Sequence, residues 1–364
     1  MDESELFGSM EADPLTAGEA EEEMQRRRLL ESLAVLGAVS AVQGDALSVV
    51  RNSFDASLVR GAENTVDDWQ EVAHEYGHAY LATPHQLLMP ELAADILALK
   101  EIIDRNAGAA HLPALYGVGA TLASLMASTA NSLGLPRESR DWWRSARHYS
   151  DVSGDRDLRV WVRGYGSMSA LYQGRPYPLV LDQAEATIRL ANGRSTPGVM
   201  EAMGCKAQVL AEVGAVDEAK ATLRQARRIF EKLPASATVD HGSLLTWPEH
   251  RLLHAESFVY SANGSAKEAT TAHAVALAAY EPSRFTSLAQ VRLHEATTLV
   301  RGGDISDGIG HAERVLTDLP AVHYRNSVRV IAKRVLVAVP KAEARRPVVN
   351  EYRERLAQPI LAGV

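Results

Sequence analysis

Cysteine is almost missing. Among 364 residues only Cys205 carries a thiol, which excludes an internal disulfide framework and suits a reducing, cytoplasmic setting. Aromatic residues are scarce at 6% although 46% of the chain is apolar, so a core built mainly from Ala, Leu and Val is expected, the composition of packed helices. Alternation of apolar and polar residues, the mark of a half-buried strand, is nearly absent. No uninterrupted apolar run reaches the roughly 18 residues a membrane span needs, and no membrane partner is expected. There is no G-x-x-x-x-G-K phosphate loop and no nucleophile with a plausible base partner. No cofactor is expected.

Charge is unevenly placed. Residues 1–23 hold nine acids and no Lys or Arg; the remaining 38 basic and 37 acidic residues leave the rest of the chain at +1, against −8 overall. Residues 1–23 therefore read as an acidic, disordered leader. Met24 to Val42 places three arginines before an apolar run and imitates a twin-arginine export signal, but Glu31 interrupts the run and the leader reverses the positive region such a signal needs. A helix packing against a second one, Leu47 to Leu58, is the expectation there. A net-negative chain without a basic stripe has little electrostatic footprint for nucleic acid.

What is present is a rhythm. Gly134, Gly174, Gly214, Gly264 and Gly303 stand 40, 40, 50 and 39 residues apart. Seven residues before each is a small residue: Ala127, Ser167, Ala207, Ser257, Ala296. Twelve after stand Ala146, Ala186, Ala226, Ala276 and Val315, and five after stand Ser139, Leu179, Ala219, Ala269 and Gly308. Between the glycines apolar residues recur with the helical period, as at Met203, Ala207, Leu210 and Val213, then Ala219, Leu223, Ala226 and Ile229. Each glycine ends one helix in a left-handed turn, and small residues are needed where the helices of a hairpin cross and where hairpins stack. Overfilling such a contact costs roughly 1–3 kcal/mol.

The small residue, the seven-step gap and the G-x-x-x-E-A of Gly214-Glu218-Ala219 and Gly264-Glu268-Ala269 resemble the tetratricopeptide repeat, with Gly134-Glu138-Ser139 a near match. Gly174, followed by Pro178-Leu179, and Gly303, followed by Asp307-Gly308, depart from it. The expected fold is an all-α, right-handed helical-hairpin solenoid. Its hairpins fall at about 111–131 with 136–150, 156–173 with 177–192, 197–213 with 216–233, 247–262 with 265–280, and 285–301 with 305–318. The expected organisation is the leader, an N-terminal helical segment 24–110 packing on the array, repeats over 111–340, and a capping helix and tail over 341–364. The polar segment Ala235 to Thr246 reads as a loop.

In tetratricopeptide arrays the first helix of each pair lines a concave surface. The resemblance thus implies a groove carrying Trp161, Met168, Tyr172, Glu201, Gln208, Arg251, His254, Phe258 and Gln290, aromatic and mixed in charge. Such a wall suits a peptide or small amphipathic molecule. One string points to different chemistry: His74-Glu75-Tyr76-Gly77-His78. H-E-x-x-H sets two imidazoles one turn apart, able to hold zinc with Glu75 as general base, the pattern of a zinc-dependent hydrolase. No third ligand follows in a recognisable setting, since His85 lies beyond Pro84, and Glu91 and Glu101 belong to the next helix. Gly77 reads equally as the crossing residue of a hairpin whose partner is Met89 to Ile103.

From about residue 24, RRRLLESLA, EVAHEYGHAYLATPHQLLMPELAADILALK and LASLMASTANSLGLPRESRDWWRSARHYSDVSGDRDLRVWVRG resemble the sensor half of Xre-type helix-turn-helix transcription regulators. In such proteins an N-terminal domain binds DNA, and no counterpart is found here, so direct nucleic-acid binding is not expected. The resemblance implies a binding module of transcriptional regulation that senses a ligand or docks a partner regulator and self-associates.

Overall fold

The computed structural model describes residues 62–263 and 266–358. Compactness divides the chain at residue 60, and everything below concerns the unit from Gly61 onward. The acidic leader, the two helices expected over Met24–Val42 and Leu47–Leu58, and the hinge Gly264 lie outside the described residues.

That unit is all-α. Its helices are α1 (Ala62–Ala82), α2 (His85–Arg105), α3 (Leu112–Ser132), α4 (Pro136–Val152), α5 (Arg156–Tyr172), α6 (Tyr177–Ala191), α7 (Pro197–Glu212), α8 (Val216–Phe230), the short α9 (Ala235–Thr238), α10 (Glu249–Asn263), α11 (Ala266–Ala278), α12 (Phe285–Gly302), α13 (Ile305–Asp318), α14 (Asn326–Ala338) and α15 (Pro347–Ala357). They form stacked helix-hairpin repeats, consistent with a tetratricopeptide-like solenoid. First helices of successive hairpins pack together, α3 on α5, α5 on α7, α7 on α10, α10 on α12 and α12 on α14.

The hinges share one stereochemistry. Gly134, Gly174, Gly214 and Gly303 have φ of +75, +69, +79 and +99°. In each, the following residue donates its N–H five residues back: Leu135 to Ala130 O, Arg175 to Ala170 O, Ala215 to Leu210 O, Asp304 to Leu299 O, at 2.9–3.1 Å. This closes carbonyls that a helix end would leave bare, and a side chain at the left-handed position would strain it. The small residues seven before the hinges, Ala127, Ser167, Ala207, Ser257 and Ala296, are all 0–1% exposed. Gly308 is not a degenerate place: a Cβ there would lie 2.6 Å from Val300 Cγ2 and 2.9 Å from Ala296 O, so α13 crosses α12 on bare backbone.

One repeat is out of step. Ala186 is exposed, and Leu179 is 36% exposed, whereas Val180, Ala184 and Thr187 are buried. Helix α6 starts one residue later after its hinge than α4 and α8 do after theirs, which shifts each inward position by one. The tightest approach is between α5 and α7, where a Cβ on Gly164 would stand 2.2 Å from Gly198 O and one on Gly198 would stand 2.4 Å from Trp161 Cα. Asp155 caps α5 by accepting from the N–H groups of Asp157 and Leu158, and Thr196 caps α7 by accepting from Val199 N–H.

Helix α3 alone among the described helices is long and apolar enough to cross a membrane, and most of it is buried among its neighbours. At the other end, α15 packs on α13 and α14, and Tyr352, fully buried, donates its hydroxyl to Ala332 O at 3.1 Å. The basic residues near this end fall into two groups. Lys333, Lys341, Arg345 and Arg346 are exposed, while Arg334 lies 4.1 Å over the Phe258 ring and Arg329 donates to Leu356 O.

Candidate functional site

The inner faces of the hairpins do not leave an open wall. Helix α14 also reaches α3 and α5, Asn326 donating to Tyr172 O at 3.4 Å. The segment expected to be a plain loop is a strap: after α9 it folds back so that Leu244 N–H donates to Gly77 O at 2.8 Å and Leu244 O accepts from the Tyr165 hydroxyl at 2.8 Å. Gly77 is small because of this strap, not because of α2, for a Cβ there would meet Ser243 Oγ at 2.6 Å and Leu245 Cγ at 2.9 Å. What remains is a cavity of about 240 Å³.

Seven of the residues expected on the wall are on it: Met168, Tyr172, Glu201, Gln208, Arg251, His254 and Gln290. Trp161 and Phe258 are not. Trp161, 7% exposed, sits where α5 meets Gly198, its ring behind Tyr165 at 4.6 Å. Phe258, 2% exposed, packs edge-on to His294 at 5.4 Å. Both lie on faces that stacking closes. Tyr80, Tyr165, Trp247, Tyr280 and Arg325 also line the cavity and were not foreseen. Tyr165 lies on α5 itself, beside the positions read from the repeat; the others come from α1, from the end of the strap and from residues just outside the hairpin helices, where helical period carries no information. The one local hint was Trp247-Pro248, an apolar ring directly before a helix start.

The wall's polar groups are partly satisfied. Glu201 Oε2 accepts from Trp247 Nε1–H at 2.7 Å and lies 3.5 Å from Arg251 Nη1; burial pushes this carboxyl above its ordinary value against the pull of Arg251. Arg251 also donates to the Tyr165 hydroxyl and lies 5.4 Å over that ring. Burial raises Tyr172 to about 12. His254 is lowered to about 4 by burial and then by Arg251, so its imidazole is neutral beside the Tyr280 hydroxyl at 3.2 Å. Two acceptors have no donor: Gln208 Oε1 and Asn131 Oδ1. Behind the cavity, Ser257 Oγ bridges His273 Nδ1 at 2.8 Å and His294 Nδ1 at 2.9 Å, and both imidazoles are held neutral by burial.

The H-E-x-x-H string gains a partner from the strap. His78 Nε2 is 2.9 Å from Asp240 Oδ2, the His74 and His78 rings are 4.9 Å apart, and donor atoms of the three residues all fall within 4.8 Å of one another. His78 Nδ1 faces His74 O at 3.1 Å. Both ring nitrogens therefore meet oxygen, and the separation of Nε2 and Oδ2 is that of a hydrogen bond. The third donor is thus neither His85 nor Glu91 nor Glu101. His85 is 3% exposed, pairs with Tyr80 O at 3.0 Å and is lowered to about 3 by burial and then by Arg325. Two histidines and a carboxylate suit zinc or a similar transition metal. Glu75 is exposed on the same helix.

No family model and no curated protein matches the chain. A solved structure, BtubC (BKLC) from P. vanneervenii, is similar to it with a TM-score of 0.44 and 15% identity, over 62% of this chain and 90% of that one, a likeness too loose to bear on function.

Proposed function

We propose that the protein is a helical-repeat binding module whose cavity receives a small molecule, and that occupancy is read by a partner regulator. The observation that carries this reading is Gln208: 2% exposed, on the cavity wall, with a carbonyl oxygen that no donor meets. Folding alone gives no return for an unsatisfied buried acceptor, which costs about 1–3 kcal/mol; a ligand donor at that place does. The resemblance to sensor halves of helix-turn-helix regulators supports a role in transcription, and self-association remains part of that reading. Thermal-shift screening of a metabolite library tests it. Ligands that raise the melting temperature of the natural sequence and fail with Gln208→Leu and Arg251→Met are the expected result. Hits indifferent to both substitutions place binding elsewhere.

A second reading has the more direct geometric support at a single point. The cluster of His74, His78 and Asp240 favours a metal-dependent hydrolase: these three residues would hold the ion, which would supply Lewis acidity toward water, and Glu75 would serve as the general base. None of the three lines the cavity, so the substrate would lie on the outer face of α1. Zinc-loaded protein that cleaves an activated ester, and stops doing so with Glu75→Gln at unchanged zinc content, would establish this reading. Protein that binds no zinc removes it.

A further inference from the structure

We propose that the cavity selects a small organic monoanion: a carboxylate whose body carries hydroxyl or amino donors, the carboxylate set against Arg325 and the donors toward Gln208 and Asn131. This deepens the binding-module reading and rests on it.

Charge comes first. Besides His254 and the tyrosines, three ionisable side chains reach the wall, Glu201, Arg251 and Arg325. Glu201 and Arg251 face one another at 3.5 Å. Arg325 has no ion pair among the described residues; its guanidinium lies 5.8 Å over the Tyr80 ring, and its nearest charged neighbour in electrostatic effect is another cation, Arg284. Neutral imidazoles at His254 and His85 add nothing. The wall is left with one surplus positive charge in a partly enclosed space, where an unpaired charge is costly and a monoanion relieves it. A planar carboxylate also matches the fork of a guanidinium.

Hydrogen bonding comes second. The Trp247 N–H, the Tyr165 hydroxyl and one face of Arg251 are already engaged within the wall, whereas Gln208 Oε1 and Asn131 Oδ1 accept nothing. These two buried acceptors on the wall call for donors. The Gln208 amide nitrogen has only the Met168 sulfur, at 3.9 Å, so a hydroxyl, which both donates and accepts, meets either end of it. Size comes third. A volume of about 240 Å³ accommodates a small organic molecule.

Calorimetric titration of the full chain with hydroxy- and amino-carboxylates, from lactate and glycine to 4-hydroxyphenylacetate, each paired with its neutral amide, tests the assignment. At least one acid is expected to bind about tenfold or more tightly than its amide. Arg325→Met should erase that preference, and Gln208→Leu should erase the preference for a hydroxylated acid over its methyl counterpart, with circular dichroism unchanged. Amides that bind as well as their acids overturn the monoanion assignment and leave the cavity a ligand site. Binding that survives Gln208→Leu, Arg251→Met and Arg325→Met together overturns the cavity reading beneath it. No binding by any acid at about 10 mM overturns the proposed class.

Discussion

Helix α7 carries two glycines that do opposite things. Gly198, at its start, touches the backbone of α5 so closely that an added Cβ would lie 2.4 Å from Trp161 Cα; Gly204, two turns on, faces the cavity, where the same atom would find Met168 Cε at 3.6 Å and Ala255 Cβ at 4.0 Å. At one end the helices are pinned backbone to backbone, and at the other they stand apart around polar side chains with unmet bonds. One helix thus carries both the closest backbone approach, at Gly198 against α5, and part of the cavity wall, at Gly204.

The largest effect should follow from breaking the pin. Gly198→Ala is expected to lower stability by about 3 kcal/mol or more, because the obstacle is backbone and has no rotamer to adopt, and a urea midpoint would show it. Acid should act on the buried imidazoles nearly as strongly. His273 is 2% exposed and lowered to about 4 by burial, so the unfolded chain takes up its proton near the ordinary 6.5 while the folded chain does not. Stability is therefore complete above pH 6.5, falls as pH drops toward 4, and levels below; His273 alone accounts for about 3 kcal/mol of this, and His273→Gln should flatten the midpoint-against-pH curve.

Smaller effects sharpen the contrast. Gln208→Leu should raise the stability of the ligand-free chain by about 1 kcal/mol, since it removes a buried acceptor without a partner, a gain no residue of the pin would give. Gly204→Ala should be neutral or stabilising by up to about 1 kcal/mol through helix propensity, in the same melting experiment that condemns Gly198→Ala. Least of all, Lys220→Ala, which removes the exposed pair with Glu268 at 3.1 Å, should change stability by less than about 0.5 kcal/mol.

Local chemistry explains what was legible beforehand. Hinge glycines and small residues report contacts within a hairpin or between adjacent ones, so Gly134, Gly174, Gly214 and Gly303 and the helices they separate stand in the sequence almost as they stand in space. Ala186 misled because one extra residue before α6 moves its buried face without altering its composition. Wall residues on first helices were readable from position alone, but Trp161 and Phe258 sit at stacking faces whose closure depends on Gly198 and Arg334, remote in sequence. Tyr80, Arg325 and Asp240 were unreadable for the same reason, since their neighbours come from chain-distant segments brought in by the strap and by α14.

Leu244 bonds through its N–H to α1 and through its carbonyl to α5, while Val239, a few residues earlier, is 69% exposed. A protease that cuts after Val239 would sever the backbone yet release neither half, because the downstream piece stays moored to both helices and shares a continuous apolar interior with the upstream one. Such a nicked molecule should migrate as a single species until denatured, and the two pieces, produced separately, should recombine as complementing fragments.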